Sequence, residues 1–239
     1  MKKLETLVPV VALALGISCN KQEVTPKSED DKTFYAMGSL MGTRLKSIDL
    51  KDAEIDMIVQ GLRDSAKGKE ASIDLAKYRG QVQNVFRKRM EKNTEKYKAE
   101  GKSYVDKYIA GGGKKSDKGF AYKILKEGTG KKPQATDTVK VHYHGTLIDG
   151  KVFDSSVERG KEVSFPLNRV IKCWTEGMQL VGVGGKIQLV CPSELAYGEH
   201  GAPPKIPGGS TLIFDVELFS IEDGKTKTAK NQVKAKAKK

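Results

Sequence analysis

The chain has 239 residues, 38% of them apolar, and 43 Lys and Arg against 30 Asp and Glu leave a net charge of +13. That length holds one large or two small domains, and the apolar share suffices for a packed core. Much of the charge excess lies in the final GKTKTAKNQVKAKAKK, which lacks the aromatics that stack on bases, and nothing nearby resembles a nucleic-acid fold; no nucleic-acid partner is expected, and the stretch reads as a disordered, solvated basic tail at 223–239, with weak attraction to an anionic membrane surface the better alternative.

At the other end, Lys2 and Lys3 precede the apolar run LVPVVALALGIS and then Cys19. The run is too short to span a bilayer comfortably and reads as the apolar region of a bacterial secretory signal, with Glu5 an odd member. LGISC resembles a lipoprotein signal, although Gly16 stands where leucine is usual and Leu15 lies one step back. The expectation is a signal segment over 1–19 with lipidation of Cys19, which would anchor the protein to a membrane; ordinary cleavage or an uncleaved signal is the alternative. Either way the chain is expected to be exported, to the bacterial periplasm or as an outer-membrane lipoprotein, where disulfides are permitted.

A polar linker follows over 20–30, and the pattern then turns helical. Phe34, Met37, Leu40, Met41 and Leu45 recur at three- and four-residue steps, and Ile55, Ile58, Val59 and Leu62 repeat the pattern. These two helices, placed in a domain over 31–71, carry apolar stripes with little else to cover them, which predicts pairing with a second copy of the chain. A third helix begins near Ser72 or Asp74, either a suitable N-cap, and runs without proline to about residue 111, roughly 54 Å at 1.5 Å per residue. Gly101 weakens it without breaking it. Its mostly polar surface beyond Met90 predicts a helix that connects two bodies.

AGGGKKSDKG ends the helical pattern, and over 112–222 the period is two. Val139, Val141 and Tyr143 alternate with Lys140, His142 and His144; Ile187, Leu189 and Cys191 share a face, as do Leu212, Phe214, Val216 and Leu218. VIKCWTEGMQLV is a short helix with Trp174, Met178 and Val181 at helical spacing. The class is α+β: strands around one short helix, preceded by an all-α region. GVGG at 182–185 is a turn and no phosphate loop, since no Lys-Ser/Thr pair and no long helix follow. His142 and His144 share the outer strand face without further ligands, so no metal site is expected, and Ser155 and Ser156 lack a nucleophile-elbow pattern.

VHYHGTLIDGKVFDSSVERG, VIKCWTEGMQLV and LAYGEHGAPPKIPGGSTLIFDVELFSI resemble the FKBP-type peptidyl-prolyl cis–trans isomerases over residues 120–222. The helical first half, export signal and Lys/Ala-rich tail resemble the two-domain periplasmic, Mip-like members, in which N-terminal helices intertwine into a dimer and a long helix carries each catalytic domain. The resemblance implies an FKBP-like antiparallel sheet wrapped on the short helix, and a catalytic set of Tyr143, Phe153, Asp154, Tyr197 and Phe214. It implies a substrate pocket completed by Arg159 beside Asp154, Val163, the backbone at Val170 and Ile171, Trp174 as floor, and Ile206 on a proline-containing flap. Val163 stands where many relatives carry an aromatic wall, Ala202 occupies a variable flap position, and Cys173 replaces the usual glycine before the tryptophan; the first two bear on substrate preference and macrolide affinity.

Those residue types suit the reaction implied. Amide resonance sets a barrier of roughly 18–20 kcal/mol, and uncatalysed X–Pro exchange takes about 10–100 s. The planar amide is more dipolar than the twisted transition state, so an apolar cage removes solvation that favours the planar form; it needs aromatic walls and no nucleophile, metal or cofactor. Asp154 either orients Tyr143 and Arg159 or acts on the twisting carbonyl. The partners implied are proline-containing polypeptides in the course of folding, FK506-type macrolides as inhibitors, and a second copy of the chain; a dimeric holdase with secondary isomerase activity is the alternative. The resemblance also puts Cys173 and Cys191 together beneath the pocket floor. In an exported chain that pair predicts a structural disulfide closing about 19 residues, worth roughly 3 kcal/mol in the chain-entropy picture, against two buried free thiols.

Overall fold

The computed structural model describes residues 25–222; the signal segment with Cys19 and the basic tail lie outside the described residues. These divide into two units, one ending at Met41 and the other beginning at Gly42. Helix α1 (Glu29–Leu45) opens on Glu29, Asp30 and Asp31, acidic groups suited to the positive end of a helix dipole. Its side chains Phe34, Met37, Leu40 and Met41 are all at least half exposed in the single chain.

Within the second unit, α2 (Asp52–Ala66) starts with a capping box in which the Glu54 carboxylate accepts from the Lys51 backbone N–H. Ile55, Ile58, Val59 and Leu62 are exposed along it. Helix α3 (Leu75–Ala110) takes Asp74 as its N-cap, the carboxylate accepting from the N–H groups of Ala76 and Lys77. The turn before α2 docks on α3: Ile48 is buried, Asn93 donates to the Ser47 carbonyl, and Arg89 donates to both carboxylate oxygens of Glu54. That pair, led by the Arg89 hydrogen bonds, holds the Glu54 carboxyl down to about 2.

Among the described residues seven strands form one antiparallel sheet: β1 (Lys114–Lys115), β2 (Ala121–Lys126), β3 (Thr138–Leu147), β4 (Val152–Ser155), β5 (Val163–Pro166), β6 (Lys186–Cys191) and β7 (Leu212–Glu222). The order is β1-β2-β6-β7-β3-β4, and β5 also pairs with β3. One edge of β3 is thus shared, with Thr138–Val141 facing β5 and His144–Thr146 facing β4. The alternation read from sequence holds on the inner face: Val139, Val141, Ile187, Leu189, Cys191, Leu212, Val216 and Leu218 are fully buried. The short helix α4 (Lys172–Gly177), continued by a single tighter turn over Met178–Leu180, covers that face. It lies close because Gly177 has no side chain; a Cβ there would sit 2.6 Å from a Leu189 methyl. Cys173 and Cys191, both fully buried, are joined by a disulfide across this contact, with Cα atoms 5.7 Å apart.

The second half of α3, read from its polarity as a connection between two bodies, also packs against the sheet domain. Thr94 and Gly101 are buried, and a Cβ on Gly101 would fall 2.1 Å from Thr211 Oγ1 at the start of β7. Small residues made this contact invisible to a search for apolar stripes.

Candidate active site

Period-two alternation on β3 brings Tyr143 to the inner face, and pairing places Phe214 and Asp154 opposite Gly145. Trp174, the third residue of α4, meets three rings edge-on: Tyr143 at 5.5 Å between centroids, Phe165 at 5.7 Å and Phe214 at 5.3 Å. Phe153 continues the chain against Phe214 at 5.4 Å. Such perpendicular contacts place positive ring edges on negative faces, the geometry aromatic pairs prefer. They line an apolar cup floored by Trp174, whose indole Nε1 is buried without a hydrogen-bond partner among the described residues.

Two parts of this cup escaped the sequence reading. Phe165 lies two residues beyond Val163 on the same face of β5, so the wall expected at Val163 is aromatic one pleat further on. Strand periodicity was the signal that could have found it. Gly145 is the second: a Cβ there would sit 2.6 Å from Phe153 Cζ and 3.1 Å from Phe214 Cε1. The glycine of VHYHG exists so that two rings can meet over the strand.

Asp154 stands on β4 at the rim, held from both sides. The Tyr143 hydroxyl donates to its Oδ2, Arg159 Nη1 donates to its Oδ1, and Arg159 Nη2 donates to the Tyr143 hydroxyl at 2.9 Å. Partial burial works to raise the Asp154 carboxyl, but the hydrogen bonds from Tyr143 and Arg159 prevail and hold it below the ordinary carboxylate range. Burial, reinforced by the bond to Asp154, raises the Tyr143 phenol above its usual value. Every polar group of this triad is thus committed to another, and none is poised to move a proton near neutral pH.

Val163, Val170, Ile171 and Ala202 are half-buried against the cluster, and Ile206 is buried in it. Tyr197 stands apart at 43% exposed, on the loop between the Ser193–Leu195 turn and β7. Lys205, not anticipated, pins that loop to the site by donating from Nζ to the Phe153 carbonyl at 2.9 Å. His142 and His144 face outward and pair with Ser156 and Ser155 at 3.0 Å. A separate cleft of about 310 Å³ on that outer face, lined by Tyr104, His144, Gln188 and Asp215, shares no ring with the cup.

Comparison with known proteins gives two family matches. Residues 129–219 match the FKBP-type peptidyl-prolyl cis-trans isomerase family, and residues 30–124 match the domain amino terminal to FKBP-type peptidyl-prolyl isomerase. The chain is 38% identical over 255 residues to the FKBP-type peptidyl-prolyl cis-trans isomerase FkpA of Aeromonas hydrophila, covering 92% of this chain and 94% of that protein. It is 39% identical over 225 residues to FkpA of Escherichia coli K12, covering 88% of this chain and 83% of the relative. The crystal structure of Escherichia coli FkpA superposes with a TM-score of 0.63 at 38% identity, over 83% of this chain and 99% of that one.

Proposed function

The chain belongs to the FKBP-type peptidyl-prolyl cis-trans isomerase family, and from that premise we propose how its cup performs the reaction and where it works. The observation that carries the reading is the ring of Tyr143, Phe153, Phe165, Trp174 and Phe214 beside a carboxylate already engaged by two donors. A prolyl ring seated on Trp174 leaves its imide bond among apolar edges. Water that stabilises the planar, dipolar amide is displaced, while the twisted state, with a less polarised carbonyl, loses less. No bond to the enzyme forms and no proton moves.

Asp154 acts in this account as an organiser. Its two oxygens hold Tyr143 and Arg159, which keeps the rim rigid and the Tyr143 ring square to Trp174. Val170 and Ile171 offer backbone to the flanking peptide, Tyr197 offers its hydroxyl from the rim, and Ile206 closes over the prolyl ring. FK506-type macrolides enter as inhibitors because the same apolar cup receives their ring. Val163 in place of an aromatic wall loosens one side, with Phe165 compensating in part.

The substrates in this reading are proline-containing polypeptides folding after export to the periplasm, with Cys19 a lipid anchor. Exposed side chains on α1 and α2 support a homodimer, since Phe34 is 69% and Leu40 72% exposed in the single chain, and apolar stripes of this size are expected to be covered. The same helices would then form a cradle that holds unfolded clients, which is the holdase reading. Sedimentation of the full chain tests assembly, with a dimer expected and a monomer at micromolar concentration contradicting it. Detergent partitioning that survives Cys19→Ala would speak against the anchor. Acceleration of cis–trans exchange in a short X–Pro peptide, blocked by an FK506-type macrolide, tests the catalytic reading.

A further inference from the structure

Helix α3 touches the loop that closes the cup. This loop carries Tyr197 and Ile206, and its base is zipped by the Gly209 N–H donating to the Gly198 carbonyl at 2.9 Å. Its tip is tied by reciprocal backbone bonds between Ala202 and Ile206. From outside, α3 meets the base at three places. Thr94 is buried against Gly208 and Gly209, and Gly209, at φ +79°, comes so near that a Cβ would lie 2.4 Å from the Thr94 carbonyl oxygen. Lys98 Nζ donates to the Glu199 carboxylate at 2.6 Å. Gly101 abuts Thr211, where the loop enters β7. Positions 94, 98 and 101 share one helix face, so a single rigid surface grips the loop.

We propose that this face of α3, formed by Thr94, Lys98 and Gly101, positions the loop bearing Tyr197 and Ile206 and so sets the affinity of the cup for the polypeptide around the proline. The proposal rests on the isomerase reading of the cup. Glu199 is two residues from Tyr197, and Gly198 between them accepts the bond that zips the base, so a displacement at α3 is passed to Tyr197 through that bonded turn. Trp174 and Asp154 lie on α4 and β4 and hold their partners without α3. Loss of the grip therefore weakens substrate capture and leaves the bond-twisting step as it was. These are positioning residues, since none of them lies in the cup.

The test uses the full chain and separates kcat from KM for exchange in a short X–Pro peptide, with macrolide affinity measured alongside. Lys98→Met and Glu199→Gln are each expected to raise KM about two- to fivefold, the range for an exposed ion pair, with kcat within about twofold. The exchange Lys98→Glu with Glu199→Lys, made together with Glu95→Gln because Glu95 also accepts from Lys98 at 3.3 Å, is expected to restore KM. Gly101→Val, which drives a branched side chain into Thr211, is expected to raise KM by about tenfold or more; if it unfolds the chain, the charge variants decide alone. A wild-type chain without activity would overturn the isomerase reading and this proposal with it. An active wild type whose KM is unchanged in Lys98→Met and Glu199→Gln, or is altered but not restored by the exchange, overturns the positioning role alone.

Discussion

Replacing Gly145 with alanine probes how tightly the rings of the proposed cup are set. Gly145 is buried near the end of β3, paired to Phe214 on one side and Asp154 on the other. The new Cβ would lie 2.6 Å from Phe153 Cζ and 2.8 Å from its Cε2, so the Phe153 ring must retreat by about 0.8 Å to reach an ordinary 3.4 Å contact. It cannot retreat alone, because its neighbour Phe214 stands edge-on at 5.4 Å and is itself backed by Trp174 at 5.3 Å. Overpacking of this kind costs about 1–3 kcal/mol, a fall of roughly 5–15 °C in Tm for a domain of this size. A displacement near 1 Å in a positioned site costs on the order of 100-fold in rate. The expected outcome is a folded Gly145→Ala chain whose kcat/KM for X–Pro exchange, followed by NMR exchange spectroscopy, drops by about 10- to 100-fold. A variant with wild-type rate and a Tm within about 2 °C would refute the claim that ring placement over β3 governs activity.

The pH profile should be flat between about pH 5 and 9. Asp154 is held below its ordinary value, so its contribution is full above about pH 4 and fades as pH falls through its lowered value; Tyr143 is raised, so its contribution persists until pH climbs past about 10. A step in kcat/KM near pH 6–7 would instead bring a histidine into the site. Trp174→Phe should cost under about 3 kcal/mol by thermal melting and keep activity within about tenfold, because the indole N–H has no partner to lose among the described residues. Replacing Cys173 and Cys191 together by alanine should lower stability by about 2–5 kcal/mol without abolishing catalysis, and thiol titration of denatured, unreduced protein should find neither sulfur reactive; free thiols at both would contradict the bridge.

The sheet and its inner face were legible because strands half-buried against one helix must alternate, and Val139, Val141 and Tyr143 on β3, Ile187 and Leu189 on β6 and Leu212 to Leu218 on β7 do so, whereas Val190 is buried on the other face of β6. The start of α3 was legible to within two residues for a similar reason, since the first turn of a helix needs an acceptor and both Ser72 and Asp74 offered one; Asp74 is the cap. The aromatics of the candidate site were another matter. Their types were visible, but Tyr143 and Trp174 read alone as core, and only likeness to a known family gathered them. Contacts set by absent side chains left little trace in the sequence: Gly145 under two rings, Gly177 against Leu189, and Gly101 against Thr211 look like turn residues or weak points in a helix. Phe165 carries no motif of its own, and only its place two residues beyond Val163 on the same face of β5 marks it as part of the wall. The Lys98–Glu199 and Arg89–Glu54 pairs join residues 101 and 35 positions apart, a separation no local pattern encodes.

The central claim is that a preset aromatic cup, organised by Asp154, lowers the barrier to X–Pro rotation. Its most direct test is the exchange rate of a short X–Pro peptide with the full chain and with the double variant Phe153→Ala/Asp154→Ala, each with and without an FK506-type macrolide. The account predicts macrolide-sensitive acceleration by the wild type, and a folded double variant slower by at least about 100-fold. A double variant that keeps the full wild-type rate would contradict it.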